Sequence, residues 1–145
     1  MDRGAKSVAQ RGIAAIEFAL IFPVFFLLLY GIITYVLIFL AQQSLTMAAE
    51  EGARAALRYT PIAANRGPNG CNTANQMISW LGANAVCAPV GPFTCTFPAG
   101  TTAQCITVNV IYPYRAHPLV PLLLGSLMNV AVPNTLTSKA TVQID

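Results

Sequence analysis

The chain has 145 residues, of which 55% are hydrophobic and 9% are charged. Its formal net charge of +3, from eight basic residues and five acids, is too small for a surface that binds nucleic acid. His117 is the only histidine, so a metal cluster of several histidines is excluded. The sequence also lacks a glycine-rich phosphate loop and a nucleophile elbow. We therefore expect a membrane-associated protein that is not an enzyme, with no catalytic residues, no cofactor and no metal.

An apolar run near the N-terminus is the dominant feature of the sequence. Residues 18–41 include no charged side chain in 24 positions. A helix of this length extends about 36 Å, more than the roughly 30 Å hydrocarbon core of a bilayer. Signal peptides usually have much shorter apolar regions. The run predicts a retained transmembrane helix over residues 13–41, with a kink or local loosening at Pro23.

Glu17 is the one acid at the start of this run. An ionised carboxylate in hydrocarbon costs several kcal/mol unless it is neutralised. In one interpretation Glu17 lies at headgroup level beside Arg11 and has no further role. In the other, the chain is cut between Gly12 and Ile13, and the new α-ammonium of Ile13 lies one helical turn from Glu17. The physical argument leaves both interpretations open.

The residues around Glu17 resemble a known processing site. Gly12, Glu17 and Phe18 match the pattern of type IV prepilins of the Flp subclass, in which a prepilin peptidase cuts after the glycine. The string RGIAAIEFALIFPVFFLLLYGI is similar to the N-terminus of TadE-like minor pseudopilins of the tight-adherence pilus system. The resemblance implies cleavage before Ile13, and partners among the prepilin peptidase, pilin and other pseudopilin subunits, and the pilus assembly machinery.

The positions of the basic residues predict the orientation of the protein in the membrane. Arg3, Lys6 and Arg11 precede the span, and by the positive-inside rule residues 1–12 form a cytoplasmic leader with little fixed structure. Removal of this leader lowers the formal net charge from +3 to +1. Residues 42–145 would then be a periplasmic domain on a single-pass protein of the bacterial inner membrane.

All four cysteines, Cys71, Cys87, Cys95 and Cys105, follow the span and include no CxxC pair. In an oxidising periplasm they predict two disulfides, which would stabilise a domain of this size. A regular helix over residues 73–84 would separate Cys71 from Cys87 by about 20 Å, which disfavours that pair. The connectivity stays open.

The helix of the span is predicted to begin near Ile13 and to continue to Tyr59. Ala15 and Ala19 lie one turn apart and would allow another helix to approach closely. Beyond the span, small side chains form one face at i, i+3 and i+4 spacing, and we expect this face to be buried within its own domain: Leu45, Ala48, Ala49, Gly52, Ala53 and Ala56.

The remaining sequence predicts short elements. Residues 61–71 are rich in Gly, Pro and Asn and predict an irregular connection, and residues 72–84 predict a short helix with Trp80 as a core anchor. A hairpin is expected from residues 93–97 and 105–114 with a turn at 98–100, and a last strand near the C-terminus. Residues 119–129 are a short apolar segment that predicts a helix from about Pro121 to Asn129. This segment is either part of the core or an apolar patch for a partner, and we expect it to be core.

Together these predictions give an α+β protein, in which a long N-terminal transmembrane helix extends into a small pilin-like domain with an antiparallel sheet. We expect a minor pseudopilin in which Gly12, Ile13, Glu17 and Phe18 form the processing site, and Glu17, Ala15 and Ala19 pack against other subunits. The alternative is a single-span membrane protein that keeps its N-terminus and binds a partner through its exported domain.

Overall fold

The computed structural model describes residues 5–96, 100–121, 123, 125 and 128–144. The fold is α+β, as predicted. Its elements in chain order are α1 (Ala5–Ala56), α2 (Arg66–Met77), β1 (Val86–Thr96), β2 (Thr102–Tyr112), α3 (Met128–Ala131) and β3 (Leu136–Ile144). The chain divides into two compact units, residues 1–36 and 37–145, and α1 contributes to both.

The first unit consists of the N-terminal part of α1. The helix begins at Ala5, so the predicted start near Ile13 was wrong, and so was the prediction of little fixed structure for residues 5–12. Residues 5–11, AKSVAQR, are mostly good helix formers without proline, and helix propensity accounts for the earlier start. Residues 1–4 of the predicted leader lie outside the described residues. Pro23 lies inside α1, and the helix is continuous through it.

The C-terminal part of α1 belongs to the second unit and ends at Ala56, three residues before the predicted end at Tyr59. Its last turn is tightened by hydrogen bonds from the Leu57 amide to the Arg54 carbonyl and from the Arg58 amide to the Ala55 carbonyl, both 3.2 Å. Pro61 disfavours helical backbone at the residue before it, which explains why the chain leaves the helix here.

Helix α2 begins earlier than the sequence indicates. Residues 66–71, which we expected to be irregular, form its first half. Pro68 is tolerated because the first turn of a helix does not need its amide hydrogen. After α2, a 3-10 turn covers Ser79–Leu81, and Gly82 ends it with φ +77°, a conformation that favours glycine.

Glycines allow α1 and α2 to approach closely. A Cβ atom built on Gly70 would lie 2.5 Å from the Gly52 carbonyl oxygen, and one built on Gly52 would lie 2.9 Å from the Gly70 carbonyl oxygen. Neither position therefore has room for a side chain. The Gly52 Cβ would also lie 3.0 Å from Val108 Cγ1 of the sheet. The predicted burial of the small-residue face of α1 within its own domain is confirmed, since all six of its residues are buried.

The sheet is antiparallel, with strand order β1-β2-β3. Strand β2 is central, and its predicted inner face is confirmed by four nearly inaccessible side chains: Ile106, Val108, Val110 and Tyr112. Ile106 joins Ala56 and Ile144 in a core cluster, against which Val142 packs. The predicted last strand is also confirmed, as β3.

Strand β1 is longer than predicted, because it begins at Val86 and not at Phe93. Pro89, Gly91 and Pro92 interrupt the strand pattern in the sequence, yet the register with β2 only shifts between Val90 and Phe93. An edge strand tolerates proline, since one side of its backbone needs no partner. The predicted turn at residues 98–100 lies largely outside the described residues.

Two further sequence predictions concern apolar side chains. Trp80 is 48% exposed, so the prediction that it anchors the core was wrong. Ile78 and Leu81 beside it are buried instead. The 3-10 turn after α2 departs from the regular helical spacing that placed Trp80 beside the apolar face. The predicted helix from about Pro121 to Asn129 lies partly outside the described residues, and α3 covers Met128–Ala131.

Both pairs of cysteines form disulfides, Cys71–Cys87 and Cys95–Cys105, with Cα atoms 5.4 and 5.9 Å apart. Two disulfides were predicted, but the argument against Cys71–Cys87 was wrong. It assumed a regular helix over residues 73–84, whereas α2 ends at Met77 and the chain reverses through Gly82. The reversal brings Cys87, at the start of β1, back to Cys71.

Candidate functional site

The predicted processing site lies on the exposed N-terminal part of α1. Gly12, Ile13, Glu17 and Phe18 are all helical and exposed, with Ile13 at 67% and Phe18 at 65%. Ile13 and Glu17 are four residues apart, so they lie on one side of the helix, about 6 Å apart along its axis. The predicted cleavage point and the acid therefore lie about one helical turn apart.

The carboxylate of Glu17 lies in an apolar stretch. Every residue from Gly12 to Leu29 is exposed, and Glu17 is the only charged one among them. Among the described side chains, no basic group lies within ion-pair distance of Glu17. The ion pair that the described residues do form joins Arg54 to Glu51 at 2.9 Å, near the other end of α1. The Ile13 nitrogen belongs to a peptide bond in this chain and carries no charge. A counter-charge on Ile13 would therefore require cleavage before it.

An aromatic row begins next to Glu17, and the sequence analysis missed it. The rings of Phe18 and Phe22 stack with centroids 5.2 Å apart, and those of Phe22 and Phe26 with centroids 6.3 Å apart. The spacing of four residues was the signal, because i and i+4 side chains meet on a helix surface. The row gives the helix one side of large rings close to the acid.

Small residues in the same region have open space around them. Ala15 and Ala19 are exposed, one turn apart. A Cβ atom built on Gly12 would meet no described atom within 4 Å, and the same holds for Gly31. Packing against the described residues therefore does not require glycine at position 12.

The second unit has an open groove of about 380 Å³ beside the end of α2. It is lined by Asn75, Ile78, Ser79, Gly82, Ala83, Ala85 and Val86, none of which titrates. Within the described part of the chain, no three His, Cys, Asp or Glu side chains are grouped closely enough to hold a metal ion. The four cysteines are in disulfides and are not available as ligands.

These features define a class of protein in which a long apolar helix leads into a small disulfide-bonded α+β unit. From Gly12 onward, α1 is long and apolar enough to cross a membrane, which is consistent with single-pass anchoring. The helix continues into a small α+β unit with two disulfides.

Comparison with known families gives a more specific result. Residues 12–54 match the family model described as TadE-like protein, so the chain carries a TadE-like segment, as the sequence predicted. The match starts at Gly12 and covers most of α1. No curated protein and no solved structure matches the chain.

Proposed function

We propose that the protein is a minor pseudopilin that acts in the assembly of a tight-adherence, type IV-like pilus. A prepilin peptidase cuts it between Gly12 and Ile13, and the mature helix then packs among pilin and other pseudopilin subunits. The observation that carries this proposal is the position of Glu17, one turn beyond Ile13 on an exposed apolar helix that belongs to a TadE-like segment.

Cleavage would solve the electrostatic problem of Glu17. The new Ile13 ammonium would lie on the same side of the helix as the carboxylate, about one turn away. An ion pair between them, or between Glu17 and the ammonium of a neighbouring subunit, lowers the cost of a charge in hydrocarbon. Because lipid offers little else to fix helix register, such a pair also selects how two helices align.

The shape of the helix supports lateral packing. Large exposed rings at Phe18, Phe22 and Phe26 offer van der Waals surface, and the small residues Ala15 and Ala19 allow a neighbouring backbone to approach. In the proposed arrangement residues 1–12 lie in the cytoplasm, where the peptidase reaches them. The disulfide-bonded unit lies in the periplasm. The protein has no catalytic activity of its own in this proposal.

Gly12 provides a clean test of processing. Gly12→Val should abolish cleavage in cells that contain the peptidase, because a side chain there meets no described atom of the chain, so the expected effect is on recognition by the peptidase. Gly31→Val is the matched control, since Gly31 also has open space and lies away from the site. The measurement is the N-terminal sequence of membrane-extracted protein. Equal cleavage of both variants would contradict the proposed site.

Glu17 provides the test of packing. Glu17→Ala and Glu17→Gln should insert in the membrane as well as the unchanged chain does, but both should be recovered with pilus subunits in reduced amount. Glu50→Gln, at an exposed acid of the second unit, is the control for loss of charge alone. If the Glu17 variants are recovered as efficiently as the control, the packing role is wrong. A chain that retains its N-terminus would instead favour the single-span anchored binding protein.

A further inference from the structure

The outer side of β3 exposes main-chain groups at the edge of the sheet. The Thr137 carbonyl oxygen accepts a hydrogen bond of 3.1 Å from the Gln42 side-chain amide, so this carbonyl is turned away from β2. In an antiparallel ladder, every second residue directs its amide and its carbonyl to the same side. Lys139, Thr141 and Gln143 therefore direct theirs away from β2 as well, since β3 keeps an unbroken register with β2.

These three residues form a main-chain edge that we call the β3 edge: Lys139, Thr141 and Gln143. All of them are exposed. Within the described residues, no backbone hydrogen bond outside the sheet involves any of them. Each residue offers one amide donor and one carbonyl acceptor, at the spacing of a strand. The group that pairs with such a row along its length is another extended chain, and strand addition of this kind is a recurring mode of peptide recognition.

The opposite edge of the sheet is closed to pairing. Val108, the partner of Pro89, directs its backbone groups to β3, so those of Pro89 face the outer side of β1. Proline has no amide hydrogen to donate there. The register shift between Val90 and Phe93 interrupts this edge a second time. Prolines and bulges protect edge strands from pairing, and β3 contains neither.

Charge and direction argue against a second copy of the chain on the β3 edge. The last turns of α1 run in the same direction as β3, because Gln42 bonds to Thr137 and Ala56 clusters with Ile144. Antiparallel pairing of two β3 strands would direct the two α1 helices oppositely, which does not suit two chains inserted in one membrane in the same orientation. Parallel pairing would set Lys139 beside its counterpart, and like charges on neighbouring strands are destabilising.

We propose that the β3 edge binds an extended segment of a different protein, antiparallel to β3, with an acidic side chain beside Lys139. Lys139 is the only charged residue in the three strands, and within the described residues it forms no ion pair. An exposed pair between Lys139 and an acid contributes specificity more than affinity. On the other face, apolar side chains of the added strand would continue the row of the half-buried Ala140 and Val142. This inference rests on the membrane anchoring in the proposed function, and is independent of cleavage before Ile13.

A synthetic strand tests the β3 edge directly. The probe is the capped peptide Thr-Val-Thr-Val-Glu-Val-Thr, whose Glu meets Lys139 when its valines lie on the face of Ala140 and Val142. The control peptide has Lys in place of Glu. Amide hydrogen exchange of the full chain in detergent micelles is followed by NMR. At a probe concentration of about nine times Kd, exchange at Lys139, Thr141 and Gln143 should slow about tenfold, and the control peptide should bind more weakly.

An exchange of charges tests the role of Lys139. Lys139→Glu should reverse the preference between the two peptides, with a change of roughly threefold in each Kd. Arg58→Glu is the matched control for net charge, since Arg58 is an exposed base beyond the end of α1, and it should keep the original preference. Thr141→Pro removes one amide from the β3 edge without removing a hydrogen bond to β2, and it should weaken binding of both peptides.

Several results would overturn the proposal. The first is an unchanged exchange rate at the β3 edge with the probe, and the second is slowing that occurs only at β1. Equal binding of the two peptides, or a preference that Lys139→Glu leaves unaltered, would contradict the role of the charge. Slowing at the β3 edge that grows with protein concentration in the absence of peptide would indicate a second copy. The Lys139→Glu result decides the matter even if Thr141→Pro does not fold, because it alters only an exposed side chain.

Discussion

The two parts of α1 differ in how much of their surface is buried and in the size of their side chains. From Gly12 to Leu29 every side chain is exposed, and most are large and apolar. From Leu45 to Ala56 the buried face consists almost entirely of alanine and glycine. The first part has a surface suited to lipid or other helices, and the second has a surface shaped for close contact with its own α2 and sheet. One continuous helix thus serves two environments, and side-chain size distinguishes them.

The largest expected effect compares one residue type in the two parts. Ile106 is fully buried in β2, whereas Ile33 is 47% exposed on α1. Ile106→Ala should lower the free energy of unfolding of the second unit by about 3 kcal/mol, because it leaves a cavity in a packed core. Ile33→Ala should change it by less than about 0.5 kcal/mol. Denaturant titration in detergent measures both, and similar losses would contradict the contrast.

The next largest effect concerns the disulfides, which lie only in the second unit. Replacing Cys71 and Cys87 together by serine should lower the free energy of unfolding by about 3 kcal/mol, since a cross-link at a sequence separation of 16 restricts the unfolded chain. The Cys95 and Cys105 pair, with a separation of 10, should cost slightly less when replaced. Reduction of the unchanged chain is the parallel measurement. An unchanged denaturation midpoint would show that the bonds do not stabilise this fold.

A smaller effect is expected where α1 meets α2. Gly70→Ala should destabilise the second unit by about 1–3 kcal/mol, since its Cβ would lie 2.5 Å from the Gly52 carbonyl oxygen and the helices would have to separate. Gly31→Ala is the matched control, because open space surrounds Gly31. Thermal unfolding followed by circular dichroism compares the two variants. A Gly70→Ala protein as stable as the control would show that the close approach is not required.

The contact between α1 and α2 also shows which parts of the fold could be predicted from the sequence. The small-residue face of α1, the inner face of β2 and the last strand follow directly from side-chain periodicity, and all three were predicted. The partner of that small-residue face was not, because Gly67, Pro68 and Gly70 have poor helix propensity. They are helical because tertiary contact overrides propensity where two backbones must approach.

The same limit applied to β1 and to the disulfides. Pro89 and Pro92 interrupt the strand pattern in the sequence, although the edge strand that contains them tolerates proline. The chain reversal at Gly82, which brings Cys87 back to Cys71, depends on where α2 ends. Helix ends are the least certain part of a sequence-based prediction. The proposed processing site, in contrast, rests only on the spacing of Gly12, Glu17 and Phe18. That spacing is a local pattern, and no folding of the second unit affects it.

The smallest expected effect is on the pH dependence of stability. Burial raises the pKa of the Tyr112 hydroxyl above its usual value of 10.0, because the buried phenol favours its neutral form. The contribution of Tyr112 to stability should therefore be constant below about pH 9 and fall as the pH rises through 10, where the unfolded chain loses this proton first. The Tyr112 hydroxyl also donates a hydrogen bond of 2.6 Å to the His117 carbonyl oxygen.

Tyr112→Phe should lose part of this alkaline fall as well as about 1 kcal/mol from the missing hydrogen bond. Tyr59→Phe is the control, since Tyr59 is 83% exposed and its removal should leave the alkaline fall intact. Denaturant titrations between neutral pH and pH 11 compare the two variants. If both show the same alkaline fall as the unchanged chain, burial of the Tyr112 hydroxyl does not contribute to it.

The central claim is that a new amine on Ile13 neutralises the Glu17 carboxylate. Intact mass and N-terminal sequencing of the protein extracted from the membranes of cells with an active pilus system test this claim most directly. The account predicts a mature chain that starts at Ile13. A functional membrane-bound population that still carries Gly12 and the residues before it would contradict the account.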